Sequence, residues 1–150
     1  MELDETDRKI LKKLLKDART PYEEIARELI ISGGTVHVRI NKMKEAGIIT
    51  GSKIKIDFSL LGYEVTSFIG VNLTSAKDYA RALEKLKTFE EITDIYYTTG
   101  QYSLFIKVVT KSTKELHQFL LEKIQALKEI QSTETFISLD NPISRDPSVY

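Results

Sequence analysis

The sequence predicts an α+β chain of two domains: an N-terminal winged helix-turn-helix over residues 1–56 and a C-terminal ferredoxin-like β-α-β-β-α-β domain, with its linker strand, over 57–150. Two observations carry this. Apolar residues recur with a period of 3.6 through the first half and alternate between strand-like and helix-like runs through the second. The charge balance also changes sign, with 12 basic and 10 acidic residues in 1–60 against 10 and 12 in 61–150.

In the first half, Asp4 is expected to cap a helix with the stripe Ile10, Leu11, Leu14 and Leu15, ending near Asp17. Thr20 is expected to cap the next, with Pro21 at its first position and Ile25, Ala26 and Leu29 on one face. Ser32 caps a third helix, with Val36, Ile40 and Met43 inward and Gly47 as its stop. Ile48 to Asp57 then alternates as a short strand pair turning at Gly51-Ser52. A plain three-helix bundle shares this periodicity, so the pattern alone leaves both readings open.

The second half reads as strand Glu64–Leu73, helix Lys77–Lys87, strands Ile92–Thr98 and Ser103–Val109, helix Ser112–Leu127 and strand Gln131–Leu139. Val65, Ser67, Ile69, Val71 and Leu73, with Leu104, Ile106 and Val108, form a face for the helices. Phe68, Phe105 and Val109 fall on the opposite, open face, which predicts a homodimer that packs these sheets together.

The whole chain has 150 residues, 22 basic and 22 acidic side chains, and no cysteine. Its length allows a core that buries roughly two-thirds of the unfolded surface. A near-zero net charge argues against a polybasic coat, and the absence of cysteine excludes disulfides, thiolate nucleophiles and Cys-ligated zinc. The longest uncharged runs are well short of the roughly 18 residues of a membrane span. The acidic start Met1-Glu2-Leu3-Asp4 is the wrong charge for a secretory signal, so a reducing cytoplasm is the expected compartment and no membrane partner is expected.

Any nucleic-acid role must therefore rest on a local patch. Residues 33–55 supply one: Arg39, Lys42, Lys44, Lys53 and Lys55 face a single acid, Glu45. With Val36, Ile40 and Met43 inward, Gly34, Val38, Asn41, Lys42 and Glu45 point outward, flanked by Thr35, His37, Arg39 and Lys44. Asn41 has the amide geometry for adenine and fits equally a solvated surface residue. Val38 suits a thymine methyl or simple exposure, and His37 a guanine acceptor or an ordinary surface histidine. Lys53 and Lys55 are placed to grip the flanking backbone. Ser32, Gly33 and Gly34 open the helix, either to bring its free N–H groups close to a phosphate or as a tolerated weakness. No metal or cofactor is expected, because the two histidines, His37 and His117, lie in different domains. No catalytic grouping is found. Glu90-Glu91 fits a solvated turn, which leaves a small ferredoxin-like enzyme as a weak alternative.

Several stretches carry a family resemblance. Leu3-Asp4-Glu5-Thr6-Asp7-Arg8-Lys9-Ile10-Leu11, Asp17-Ala18-Arg19, Ile25-Ala26, Ser32 with Val36 and Arg39-Ile40, and Ala46-Gly47-Ile48-Ile49 resemble the helix-turn-helix signature of the Lrp/AsnC, or feast/famine, transcription regulators. Leu61-Gly62-Tyr63, Thr99-Gly100-Gln101-Tyr102 and Thr133-Glu134-Thr135 resemble that family's C-terminal regulatory domain. The resemblance implies a regulator that binds double-stranded DNA at a roughly palindromic operator. It implies a homodimer that assembles into tetramers, octamers or larger discs, and an amino acid or related metabolite as effector. It places the effector at a subunit interface near Thr98, Thr99, Gly100, Gln101, Tyr102 and Ser103, with Thr133 and Thr135 offering hydroxyls. The other reading of these residues is a plain hairpin turn and ordinary β-formers. The sequence departs from the family at Ile30, usually glycine, at Gly33-Gly34, and at Ser103, where an aspartate usually follows the Thr-Gly-x-Tyr motif. An architectural DNA-binding protein without an effector is the alternative.

Overall fold

The computed structural model describes all 150 residues, which form two compact units, Met1–Lys55 with Ser144–Tyr150, and Ile56–Ile143. No helix is long and apolar enough to cross a membrane.

In the first unit, α1 (Glu5–Lys16), α2 (Tyr22–Leu29) and α3 (Gly33–Glu45) enclose a core of Ile10, Ile25, Val36, Ile40 and Met43, each at most 1% exposed. The helix starts follow local chemistry. Asp4 accepts from the Asp7 N–H at 2.8 Å while its own N–H donates to Asp7 at 3.2 Å, a reciprocal cap. Ser32 accepts from the Thr35 N–H at 3.0 Å and so starts α3 as expected. At α2 the expectation fails, since Pro21 itself occupies the cap position without a side-chain bond and the Thr20 hydroxyl donates back to the Asp17 carbonyl. A backbone acceptor already in reach outcompetes the next helix. After α3, Gly47 turns at φ +71, and the N–H groups of Ile48 and Ile49 both donate to the Met43 carbonyl.

Two expectations about this unit are corrected. The strand pair over Ile48–Asp57 does not form: the segment carries no strand, and Ile54 is 70% exposed. Alternation supplies one extended side to a ribbon, but a two-stranded ribbon alone buries too little to hold. The last seven residues, read with the second domain, instead pack on α1, where the Arg8 guanidinium donates to the Val149 carbonyl at 2.7 Å and the Lys12 ammonium lies 4.9 Å from the Tyr150 ring.

The second unit runs β1 (Val65–Leu73), α4 (Tyr79–Leu86), β2 (Ile92–Tyr97), β3 (Leu104–Thr110), α5 (Thr113–Phe119), a wider turn over Leu120–Ile124 and β4 (Ile130–Ile137). The sheet order β2-β3-β1-β4, with every pair antiparallel, is that of the ferredoxin-like fold. Ile69, Val71, Leu104, Ile106 and Val108 are fully buried against Leu86, Leu116, Phe119 and Ile124, so the helix face lies where alternation put it. The opposite face carries an aromatic row in which Phe105 lies 6.1 Å from Phe68 and 6.3 Å from Phe136 between ring centres.

The chain reverses between α2 and α3 through Ile30, at φ +57 and 92% exposed. A β-branched side chain in the left-handed region costs roughly 1–2 kcal/mol, and this one buries nothing in return. Ile30→Gly is expected to raise the stability of the chain by about 1 kcal/mol, read as a higher urea midpoint at unchanged slope.

Candidate nucleic-acid interface and ligand surface

The residues expected to meet DNA lie along α3 and the segment after it. Gly34, Thr35, Val38 and Lys42 are exposed and line one shallow hollow with Ser32, Arg39 and the N-terminal end of α1. Val38 is 52% exposed at its centre. Asn41 is half-buried, and His37 leans toward α2 with its ring 5.9 Å from that of Tyr22. Lys44, Lys53 and Lys55 are exposed, the last two on a segment with no helix or strand.

Arg39 stands apart from these. Its Nη1 donates to Asp4 at 2.6 Å and to Asp7 at 2.8 Å, and the Asp7 carboxylate is only 4% exposed. One guanidinium group therefore ties α3 to the capping residues of α1. The N–H of Asp7 and the charge of Arg39 together hold the Asp4 carboxyl below the usual carboxylate range. Asp4 and Asp7 were legible as a cap, but nothing in the local pattern announces a pair formed 32 and 35 residues away.

The two glycines at the start of α3 have different surroundings. A Cβ at Gly33 would lie 2.9 Å from both carboxylate oxygens of Glu23, whereas one at Gly34 would meet only the Ser32 hydroxyl at 3.8 Å. Gly33 thus leaves room for a carboxylate of α2 against the positive end of α3, a favourable place for a negative charge. Gly34 leaves open surface.

In the second unit, the β2–β3 hairpin closes through the Thr98 N–H on the Ser103 carbonyl at 3.1 Å and the Thr98 hydroxyl on the Tyr102 carbonyl at 2.8 Å, with Gly100 at φ +100. Tyr102 leaves the hairpin and lays its ring over Gly70 of β1, where a Cβ would come within 2.6 to 2.8 Å of three ring carbons. Gly70 pairs with Phe105 on one side and Glu134 on the other, so Tyr102 and Glu134 share the open face. Thr133 and Thr135 pair with Val71 and Ile69, whose side chains are buried on the helix face. The Tyr102 ring and the two threonine side chains therefore sit on opposite sides of the sheet. Gly70 and Glu134 are the neighbours that sequence reasoning missed, although alternation from Ile69 and Thr135 would have placed both. No group of three or more His, Cys, Asp or Glu side chains is arranged to hold a metal ion.

Comparison with known proteins assigns a class to each unit. Residues 3–50 match a winged helix-turn-helix DNA-binding domain, and residues 66–148 match the Lrp/AsnC ligand binding domain. A chain that joins a DNA-binding head to a ligand-binding domain is a transcription regulator. The relatives name its kind. The chain is 55% identical over 144 residues to Regulatory protein AsnC of Haemophilus influenzae, covering 96% of each, and 54% identical over 143 residues to that of Escherichia coli K12, covering 95% and 94%. The solved structure of E. coli AsnC superposes with a TM-score of 0.96 at 51% identity over 99% of both chains. A complex of the Neisseria meningitidis regulator NMB0573 with L-Met shares the fold, with a TM-score of 0.91 at 18% identity over 99% and 97%. The chain belongs to the Lrp/AsnC family of transcription regulators.

The Arg39 pairing has a measurable consequence. Arg39→Gln strands the buried Asp7 carboxylate and is expected to destabilise the chain by about 2–3 kcal/mol, while the slope of DNA affinity against salt stays that of the wild type. Asp4 has a lowered carboxyl pKa in the folded chain, so its contribution is complete above the ordinary value near 4 and disappears as pH falls through the lowered value. Urea titrations between about pH 5 and 2 check this: wild type loses stability on acidification, and Asp4→Asn loses less.

Proposed function

We propose that the protein is a sequence-selective regulator that binds roughly palindromic operators as a two-fold homodimer and takes an amino acid as effector in its second unit. The observation that carries the DNA part is the exposed face of α3, where Ser32, Gly34, Thr35, Val38 and Lys42 line one shallow hollow, with the exposed Lys44, Lys53 and Lys55 following in sequence. In a helix-turn-helix this N-terminal half of the recognition helix meets base edges, and the lysines neutralise phosphates. Arg39, held by two carboxylates, is left out of the base-reading set. The match to a ligand-binding domain and the L-Met complex of a structural relative support an amino-acid effector.

Selection of bound sequences from random DNA, with and without the twenty amino acids, tests this reading. Sites with two symmetric half-sites about one helical turn or a multiple of it apart, whose occupancy changes with an amino acid, support it. Binding without sequence preference or ligand response identifies an architectural protein instead. Asn41→Ala is expected to relax preference at one base position per half-site at a cost of roughly 1–3 kcal/mol, whereas Lys42→Ala weakens binding to all sequences and lowers the salt slope.

The aromatic row of Phe68, Phe105 and Phe136 on the open sheet face supports the homodimer, because a contiguous apolar surface of this kind is covered in stable assemblies. Phe105→Glu places an unpaired charge in that contact and is expected to sediment as a folded monomer where wild type sediments as a dimer or larger.

A further inference from the structure

We propose that Glu23 is a built-in competitor of the DNA phosphates: its carboxylate, seated beside Gly33 at the start of α3, weakens the sequence-independent part of DNA binding. The inference rests on α3 as the helix that meets DNA, and adds a residue of α2 that sets how strongly the start of that helix attracts the DNA backbone.

The observations surround one helix end. Ser32 accepts from the Thr35 N–H through its hydroxyl at 3.0 Å and from the Val36 N–H through its carbonyl at 3.2 Å, which leaves the N–H groups of Gly33 and Gly34 as the positive end of α3. α1 carries Glu5 and Asp7 in its first turn and α2 carries Glu23 and Glu24, whereas the first turn of α3 has no acid of its own. Glu23 supplies that charge from the neighbouring helix. Both of its carboxylate oxygens lie 2.9 Å from where a Gly33 Cβ would stand, so any side chain at this position would displace them. Arg27, exposed and one turn further along α2, is the ordinary partner for such an acid, yet the two form no ion pair. The carboxylate lies against α3 instead.

Its position decides the effect on DNA. The same end of α3 carries Gly34 and Thr35, which line the exposed hollow with Val38 and Lys42. A backbone phosphate drawn to the free N–H groups there meets a carboxylate already in place, and two anions at one positive end repel each other. Phosphate contacts carry no sequence information, whereas base edges are read by side chains further along the helix, such as Val38 and Asn41. Glu23 therefore holds down binding to DNA at large and leaves the preferred sequence as it is.

The test uses the full-length protein, fluorescence anisotropy with a mixed-sequence duplex over a salt series, and selection of bound sequences from random DNA. At about 50 mM salt, Glu23→Gln is expected to bind the mixed-sequence duplex about threefold or more tightly than wild type, with a slope of log affinity against log salt steeper by about one. It is expected to select the same sequences as wild type. Gly33→Ala, which closes the seat and suits a helix better than glycine, is expected to shift binding in the same direction and to add nothing in a Glu23→Ala background. Glu24→Gln makes the same change of net charge at the next residue and is expected to stay within about twofold of wild type. Thermal melts establish that each variant is folded. Unchanged affinity and slope in Glu23→Gln overturn the inference, and so does a gain that Gly33→Ala fails to reproduce. An equal gain in Glu24→Gln overturns it as an effect of net charge alone, and a new preferred base in the Glu23→Gln selection overturns it by making Glu23 a base reader. Wild-type binding by Lys42→Ala removes α3 as the DNA-facing helix, and this inference with it.

Discussion

A four-stranded antiparallel sheet with both helices on one side has only half of its surface inside its own core, and the arrangement of the second unit follows from that constraint. On the helix side, Ile69, Val71, Leu104, Ile106 and Val108 are closed off completely. On the other side, side chains of the same strands remain available at the parity of Phe68, Gly70, Phe105, Glu134 and Phe136. The aromatic row of Phe68, Phe105 and Phe136 continues into the Tyr102 ring over Gly70, whose centre lies 6.2 Å from that of Phe105, and Glu134 stands on the same face. The face left open is the one available to other molecules, because the helices have taken the other.

In the first unit the corresponding economy is in charge. A helix that meets DNA is basic outward and apolar inward, and one cation of α3 is engaged by a neighbouring helix. Arg39 reaches back to Asp4 and Asp7, so the cap that starts α1 also fixes α3 against it. A charge-assisted, two-acceptor pair with one nearly buried partner is directional, unlike the apolar contacts of Ile10, Ile25 and Ile40 around it. That directionality matters in a head whose function depends on the setting of one helix. Glu23 beside Gly33 adds a second electrostatic element at the start of the same helix, a carboxylate where the free N–H groups concentrate positive potential. The net positive face seen by a phosphate is therefore smaller than the count of lysines and arginines implies.

The sequence by itself determined what repeats locally. The 3.6-residue period located α1, α2 and α3, the two-residue period located the strands and sorted their faces, and Asp4, Ser32 and Gly47 marked ends that the structure reproduces. These features depend on neighbours within a few residues, and such neighbours are fixed by chain geometry before any tertiary contact forms. The order of elements also identified the ferredoxin-like plan. What only the tertiary structure decided involves residues far apart in sequence. The pairing of Arg39 with Asp4 and Asp7, the return of Val149 and Tyr150 to α1, and the absence of a ribbon after Ile49 each depend on which surface meets which. The register of β4 is the most instructive case. The family resemblance grouped Thr133 and Thr135 with the Thr98–Ser103 hairpin, as hydroxyls on the last strand that a carboxylate could meet. The register of β4 against β1 turns them to the helix side and puts Glu134 on the face over which the Tyr102 ring lies. A shift of one residue would have reversed the outcome, because side chains alternate faces along a strand and register is set by the partner strand.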